Sequence, residues 1–402
     1  MGEVQINFDG DNNRSISKLL RSSRNRYRHL DVFRGLIIVI MALDHVSFFI
    51  IRVHASEFWG RPLPVYNSSI SFLSRTITHL CAPGFMFLMG ASVVFLAESR
   101  KNFSWDDRKI NVFILKRGCV LVVLELFVLN FAWLIGQHRG IIGSVAPPGG
   151  GTMPVIVIFG ILSCLGCNLM LAGLLRHWSI RALFAVGLVS LLLSQLLTPL
   201  DADVNLLFSP IERLLFAAGR THWLLVMYPI LPWLTFVVWG IIFGKLLIGS
   251  EKLAMNSCAF SGVVFLVFFS VYRIALGFEA PKVHSANVFM DYLTVTKYSP
   301  SISFVVVTMG VNLLLLFGLW RFSHRMRLLS SVLEVYGRTS LFFYVTHVFL
   351  YLLIGTLTLG LRLDYPVAFF IWLVSVVALY PVCSWFNRVK MRSMPGSIIR
   401  FF

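Results

Sequence analysis

Apolar stretches of roughly 20 residues, each long enough for a helix to cross about 30 Å of hydrocarbon, recur about ten times along the chain. Such a chain folds as a helical membrane protein, because a closed membrane barrel would show alternating strands of about ten residues instead. The predicted fold is therefore an all-α polytopic membrane protein with about ten transmembrane helices in one bundle. The predicted spans are 32–52, 74–97, 112–135, 154–175, 182–200, 223–247, 254–277, 300–320, 338–358 and 366–386.

Composition and charge place the chain in the same class. Of the 402 residues, 57% are hydrophobic and 13% are charged, whereas a soluble domain carries about a quarter charged residues. The net charge of +17 comes from 35 Lys and Arg against 18 Asp and Glu. If the N-terminus is cytoplasmic, most of these basic residues fall in inner segments, which predicts that both termini are cytoplasmic. The expected partner is thus the lipid bilayer, and nucleic acid is not needed to explain the charge.

The sequence predicts a single folded domain with two short extensions. Residues 1–30 form a basic cytoplasmic arm suited to anionic lipid, 31–390 form the transmembrane domain, and 391–402 form a cytoplasmic tail. The first apolar run has no obvious cleavage site and is interpreted as a retained helix. Cys164 and Cys167 have zinc-like spacing without a second ligand pair nearby, so no metal site is predicted and the cysteines are expected to pack.

Ionisable side chains inside the predicted spans are costly, which makes each of them a candidate functional group. The first helix carries Asp44 and His45, the latter about 21 Å along the axis from the inner end, and the second begins with Arg75 and His79 at a comparable depth. His347 lies about 13 Å into the ninth helix. Asp44 and His45 are adjacent and point in different directions, so Asp44 is predicted to pair with Arg75. The alternative is that these groups only fix the bundle as buried structural partners.

For three further polar residues, a structural or surface role is the favoured interpretation. Glu125 lies midway along the third predicted helix and Arg273 near the outer end of the seventh. Structural pairing is the favoured interpretation for both. His54 falls in an outer loop, where a solvated surface histidine is the default.

Several motifs occur in one order along the chain. They are Leu30–Gly35 followed by Met41–His45, then Thr78–Gly90, Tyr228–Trp233, Thr296–Ser301 and Tyr336–His347. Taken together they resemble the bacterial branch of the heparan-alpha-glucosaminide N-acetyltransferase catalytic-domain family, within the transmembrane acyltransferase superfamily. The resemblance covers roughly residues 28–390.

The resemblance implies a ten-helix bundle that uses cytosolic acetyl-CoA to acylate an amine or hydroxyl of a sugar or glycan at the non-cytoplasmic face. The family carries a key polar residue where this chain has His45. The catalytic histidine of its eukaryotic branch lies in the loop beyond, where His54 is an approximate counterpart. The base is therefore either His45 or His54, and we favour His45 because it is embedded.

Acyl transfer requires a base, hydrogen-bond donors for the thioester oxyanion, and cations for the nucleotide phosphates. We predict His45 as the base, with His79 and Arg75 steadying the developing charge. His347 is predicted to orient the substrate or to relay a proton. Direct transfer and an acetyl-histidine intermediate both fit this arrangement.

Cations near the two ends of the spans are assigned to the substrates. Arg34 and Arg338 lie at inner helix starts, where coenzyme A would arrive, whereas Lys297 is outside and is predicted to meet the acceptor. The hypothesis is an acyl-CoA-dependent O- or N-acyltransferase of the bacterial cytoplasmic (inner) membrane, with a homodimer as the assembly considered.

Two other classes of protein are alternatives. A proton-coupled secondary transporter of a small solute would favour broken helices in paired halves of the chain. A noncatalytic scaffold is disfavoured by the number of embedded ionisable groups.

Overall fold

A computed structural model describes residues 27–54, 56–66, 68–140, 146–150, 154–198, 208–275, 288–322, 325–394, 397 and 399. Most of the predicted N-terminal arm (1–30) and part of the predicted tail (391–402) lie outside these residues. The architecture is a helical bundle with one small sheet, which confirms the predicted all-α class.

The helices follow one another in chain order. Their bounds are α1 Arg28–Val46, α2 Ser69–Thr78, α3 Cys81–Lys101, α4 Asp107–Leu124, α5 Asn130–His138, α6 Ile161–Leu175, α7 Ile180–Leu197, α8 Pro210–Leu215, α9 Ile230–Gly249, α10 Glu251–Ala275, α11 Val288–Leu293, α12 Ile302–Phe322, α13 Arg327–Arg338, α14 Ser340–Leu357 and α15 Tyr365–Arg392. Single π-helical turns, Ser47–Ile51 and Glu125–Leu129, extend α1 and join α4 to α5. The strands are β1 Gly149–Gly150, β2 Val157–Phe159, β3 Gly219–Thr221 and β4 Leu224–Val226, in the order β1-β3-β4-β2.

Within the described residues, nine helical segments are long and apolar enough to cross a membrane, so the protein is a multi-pass membrane protein. They match nine of the predicted spans. The fourth predicted span, 154–175, is different: only Ile161–Leu175 is helical, and its 15 residues would extend about 22 Å. The residues before it form an extended segment that includes β2.

The second span is interrupted near its N-terminal end. Helix α2 ends at Thr78, a turn follows at His79 and Leu80, and α3 begins at Cys81. Pro83 explains the break, because proline has no N–H to donate to the carbonyl four residues earlier and its ring crowds that carbonyl. The break holds His79 at a bend.

The third span supplies the hydrogen bonds that the extended segment before α6 needs. The Asn130 side chain donates to the carbonyl of Ile156 and accepts from the N–H of Ile158, both at 2.9 Å. One oxygen of Glu125, Oε2, accepts the N–H groups of Leu162 and Ser163 at 2.5 and 3.1 Å. The pairing predicted for Glu125 is therefore with the first turn of α6, where a carboxylate also complements the helix dipole.

Two glycines bring α1 and α13 into backbone contact. A Cβ on Gly35 would lie 1.8 Å from the carbonyl oxygen of Leu333, and one on Gly337 would lie 1.8 Å from that of Asp31. No other residue type fits this crossing. Since Arg34 precedes one glycine and Arg338 follows the other, the crossing brings both arginines to one cavity.

The Glu125 contact can be tested by substitution. Glu125→Ala leaves two buried N–H groups without an acceptor, which costs about 1–3 kcal/mol, whereas Glu125→Gln keeps an accepting oxygen and loses less. Thermal unfolding of the purified protein in detergent measures the difference. The matched control is Glu98→Ala, because Glu98 is exposed on α3. An Ala variant as stable as the wild type would contradict this role of Glu125.

Candidate active site

A cavity of about 210 Å³ opens among the helix ends on the side where α1 terminates. We call it the outer cavity. Predicted site residues Asp44, His45, His54 and Lys297 line it. So do six aromatic side chains from different parts of the chain. They are Phe48, Phe58, Trp133, Tyr228, Tyr298 and Tyr344.

Arg75 organises the charges behind one wall of this cavity. Its guanidinium donates from Nε and Nη2 to the two carboxylate oxygens of Glu57, at 2.9 and 2.7 Å. Its Nη1 donates to Oδ1 of Asp44 at 2.7 Å, which is the predicted Asp44–Arg75 pair. Thr78 donates to the same oxygen at 3.1 Å. Arg75 and Glu57 are buried, so each charge has its partner where water cannot replace it.

Glu57 is a residue of this site that the sequence does not single out. It has no solvent exposure and also accepts a hydrogen bond from the hydroxyl of Tyr66 at 2.9 Å. Burial raises its pKa, but the charges of Arg75 and His79 outweigh burial and hold the pKa well below the usual range. Glu57 is therefore ionised at neutral pH and serves as the main counter-ion of Arg75.

His54 is part of the same cluster rather than a solvated surface residue. Its Nε2 lies 3.0 Å from Nη1 of Arg75 and 3.4 Å from Oδ2 of Asp44. Burial and the charge of Arg75 lower its pKa, and Asp44 offsets them only in part, so the imidazole is neutral at pH 7. With the guanidinium facing Nε2, that nitrogen accepts a hydrogen bond and is already occupied.

His79 lies on the far side of the cluster. Its Nε2 is 3.4 Å from Oε1 of Glu57, and its ring packs edge-on against Phe304 with centroids 5.5 Å apart. Neither His79 nor Arg75 lines the outer cavity. Both residues contact Glu57 instead of the cavity. The sequence predicts that they steady a developing charge on the substrate.

His45 and His347 form a stacked pair that the sequence could not join. Their rings are 7° from parallel, with centroids 4.9 Å apart, and Nδ1 of His45 lies 2.7 Å from Nε2 of His347. Nδ1 of His347 lies 2.6 Å from the carbonyl oxygen of Phe343. A carbonyl only accepts, so in the neutral pair Nδ1 of His347 carries a proton and its Nε2 accepts one from Nδ1 of His45.

This arrangement fixes the tautomer of His45. With its proton on Nδ1, the lone pair is on Nε2, and no described residue hydrogen-bonds to that nitrogen. His45 lines the outer cavity. Its ring, with an unengaged lone pair on Nε2, therefore lies at the cavity wall, and the hydrogen bond to His347 fixes its orientation.

Lys297 enters the outer cavity from the segment before α12. The residue is 3% exposed, and its backbone N–H donates to the carbonyl of Glu57 at 3.1 Å. Nζ lies 5.2 Å from the centroid of the Tyr298 ring. The lysine is thus a buried cation within reach of anything bound in the cavity.

A second cavity, of about 340 Å³, lies toward the side where α1 begins. We call it the inner cavity. Basic residues Arg34, Arg117, Arg338 and Lys390 line it. Arg34 and Arg338 both pair with Asp31, at 2.9 and 3.4 Å. A neighbouring cavity of about 350 Å³ shares Arg34, Arg338 and Lys390 with the inner one, so the basic surface continues toward that side of the bundle.

The outer and inner cavities meet at a thin partition. The side chains that line both are Met41, Ile161 and Tyr344. Ile161 is the first residue of α6, so the late start of that helix lets the outer cavity reach this depth. Of the predicted site residues, Arg34 and Arg338 thus line the inner cavity, and Asp44, His45, His54 and Lys297 line the outer cavity.

Comparison with protein families matches residues 26–277 to the catalytic region of heparan-alpha-glucosaminide N-acetyltransferase. The match covers more than half of the chain. The chain belongs to this family. Membership in the heparan-alpha-glucosaminide N-acetyltransferase family implies a membrane acetyltransferase. A search of curated proteins finds no match to the chain.

The family match includes only part of the site. It contains Asp44, His45 and His54, but ends before Lys297 and His347. Within the described part of the chain, no cluster of three or more His, Cys, Asp or Glu side chains is placed to hold a metal ion. The absence of a metal stays a prediction.

The Arg75 cluster makes a prediction about stability. Arg75→Met leaves the carboxylates of Glu57 and Asp44 buried without their cation, which costs about 3–5 kcal/mol. Arg75→Lys keeps the charge but cannot donate to both carboxylates in a fixed fork, so its loss is intermediate.

Thermal unfolding and the yield of monodisperse protein measure both variants. Arg139→Met is the matched control, because among the described residues the Arg139 guanidinium bonds to Leu352 and Thr356 and not to a carboxylate, at a more exposed position. Further substitution of Glu57→Gln in the Met variant should recover part of the lost stability. A wild-type unfolding temperature in Arg75→Met would refute the cluster's structural role.

Proposed function

We propose that the protein transfers an acetyl group from acetyl-CoA, bound in the inner cavity, to an amine or hydroxyl of a sugar or glycan bound in the outer cavity. The observation that carries this proposal is the meeting of the two cavities at Met41, Ile161 and Tyr344. The substrates can approach from opposite sides of the membrane, and the reacting atoms meet beside the free nitrogen of His45.

The inner cavity suits the donor. Coenzyme A carries several phosphate charges, and Arg34, Arg117, Arg338 and Lys390 provide cations along the cavity wall. The side with the basic residues is the cytoplasmic side in our proposed topology, with both termini inside. In this proposal the donor site faces the cytoplasm, where acetyl-CoA is available, and the protein lies in the cytoplasmic membrane of a bacterium.

The outer cavity suits a sugar. Aromatic rings such as Trp133, Tyr228 and Tyr298 offer apolar faces to sugar C–H groups, while Lys297 and Asp44 offer polar contacts at the same wall. A cavity with both kinds of surface selects a small polar acceptor with apolar patches. We propose that the acceptor reaches this cavity from the non-cytoplasmic side.

In the proposed reaction, His45 acts as the general base. Its Nε2 takes the proton from the acceptor amine or hydroxyl as that group attacks the thioester carbonyl carbon. The carbon–sulfur bond then breaks, and protonated His45 returns the proton to the departing thiolate. The products are the acetylated sugar and the free thiol of coenzyme A. Throughout the reaction, Nε2 of His347 accepts a hydrogen bond from the Nδ1–H of His45. His347 thus acts as a positioning residue.

The Arg75 cluster has a supporting role in this proposal. It engages Asp44 and His54 in fixed hydrogen bonds, which leaves His45 as the histidine of the outer cavity with an available lone pair. His54 is the second candidate for the base. A homodimer stays a prediction without a structural argument.

The base assignment is tested with purified protein, labelled acetyl-CoA and a panel of amino sugars and glycans. The wild type should release coenzyme A and label an acceptor, and His45→Ala should lower turnover by about 100-fold or more. His138→Ala is the matched control, because His138 is exposed at the end of α5 and bonds to a backbone carbonyl. Full turnover in His45→Ala with loss in His54→Ala would move the base to His54.

The same preparation separates the enzyme from a transporter. Donor binding and coenzyme A release in detergent support the acetyltransferase. Uptake of a small solute driven by a proton gradient in proteoliposomes, without coenzyme A release, would overturn it.

His347 should affect the base rather than substrate binding. His347→Phe keeps an aromatic ring but removes the acceptor for the Nδ1 proton of His45, so the tautomer is no longer fixed. We expect a lower kcat, a small change in KM for acetyl-CoA, and a shifted pH profile of kcat. His347→Gln, whose amide oxygen can accept that proton, should recover part of the rate. A wild-type pH profile in His347→Phe would argue against positioning.

A further inference from the structure

The partition between the two cavities contains one side chain that can donate a hydrogen bond. Met41 and Ile161 have no donor in their side chains, whereas Tyr344 has a phenolic hydroxyl. On the proposed function, the thioester carbonyl must lie at this partition, because the donor and the acceptor approach it from opposite cavities. Tyr344 is therefore expected to be the hydrogen-bond donor nearest to the thioester carbonyl.

The placement of Tyr344 relative to the histidine pair supports this position. Its ring centroid lies 5.6 Å from that of His45 and 5.7 Å from that of His347, both edge-on. The residue is on α14, one helical turn before His347. Tyr344 and His45 are thus neighbouring side chains that both line the outer cavity.

The hydroxyl of Tyr344 is buried, and no described residue accepts its proton; the indole N–H of Trp133 lies close to the hydroxyl oxygen but can only donate to it. A buried phenol is normally paired, since leaving its hydroxyl unsatisfied costs free energy. Tyr351 shows the usual solution on the same helix: it is also buried, and its hydroxyl lies 2.9 Å from Oγ of Ser375. A hydroxyl proton without an acceptor at the partition points to an acceptor that arrives with the substrate.

Arg75 and His79, which the sequence predicts to stabilise the oxyanion, contact carboxylates of the protein instead. Arg75 is bonded to Glu57 and Asp44, His79 faces Glu57, and neither lines the outer or the inner cavity. The oxyanion therefore needs a donor other than these two residues.

We propose that the Tyr344 hydroxyl donates a hydrogen bond to the thioester carbonyl oxygen of acetyl-CoA and to the oxyanion formed from it. This inference rests on the proposed function and adds a catalytic residue to it. The acceptor's N–H or O–H proton goes to His45, the acceptor heavy atom bonds to the carbonyl carbon, and the electron pair of the C=O moves to the oxygen. Tyr344 keeps its proton. Collapse of the oxyanion then expels the coenzyme A thiolate, which takes the proton from His45.

The test is Tyr344→Phe, which keeps the ring in the partition and removes only the hydroxyl. Loss of one oxyanion donor costs about 100- to 1,000-fold in kcat, and we expect KM for acetyl-CoA to change little. Tyr351→Phe is the matched control: it removes a buried hydroxyl from the same helix, away from both cavities, and should keep wild-type kcat. Glu125 also lines the outer cavity, and its Oε1 has no partner. A merely structural hydroxyl, such as one that bonds to this oxygen, would lower the unfolding temperature of Tyr344→Phe but leave kcat unchanged.

A spectroscopic readout tests the contact without turnover. Infrared difference spectra of bound acetyl-CoA with an isotope-labelled carbonyl should show a lower carbonyl stretching frequency in the wild type than in Tyr344→Phe. Equal frequencies and equal kcat would overturn the role of Tyr344 while leaving the acetyltransferase intact. If the wild type neither binds acetyl-CoA nor releases coenzyme A, the proposed function fails, and this inference fails with it.

Discussion

A polar backbone group at membrane depth must find its partner inside the protein, and this constraint shapes the site. Glu125 lies roughly 27 Å along the third span from Asp107, at the π-helical turn, and its carboxylate accepts the first N–H groups of α6. Asn130 satisfies the extended segment just before them. Because these side chains provide the missing hydrogen bonds, α6 can start well inside the bundle, and the outer cavity can extend down to Ile161.

The charges around that cavity are arranged so that most of them are already paired. Arg75 holds Glu57 and Asp44, and Glu57 in turn faces His79. Such a network is expensive to bury unless each charge is matched. Once it is matched, it is rigid, and it leaves the His45–His347 pair outside its hydrogen bonds. A histidine whose lone pair is not engaged by a guanidinium can accept a hydrogen bond from a substrate.

The sequence predicts the fold better than the site, for physical reasons. Hydropathy identifies nine spans, but residues 154–160 are as apolar as a helix, and an apolar run cannot by itself distinguish a buried strand from a helix. The Asp44–Arg75 pair is predictable because both residues are costly in a span and lie at one depth. Glu57 lies in a polar outer segment, where hydropathy carries no information about burial.

The contact between His45 and His347 joins residues 302 positions apart, and no local pattern specifies it.

Once the two cavities are known, the division of the site follows from the chemistry of the proposed substrates. Coenzyme A carries charges that would be costly to move across hydrocarbon, and a sugar would have to shed its hydration. A partition of three side chains lets both substrates stay on their own sides while only the acetyl group changes sides. Movement of α1 against α13 would separate Gly35 from the backbone of Leu333, and movement of α1 against α2 would separate Asp44 from Arg75. The close contact between α1 and α13 and the buried ion network therefore favour a bundle that stays fixed. In the proposed reaction, the acetyl group passes from one cavity to the other by acyl transfer alone.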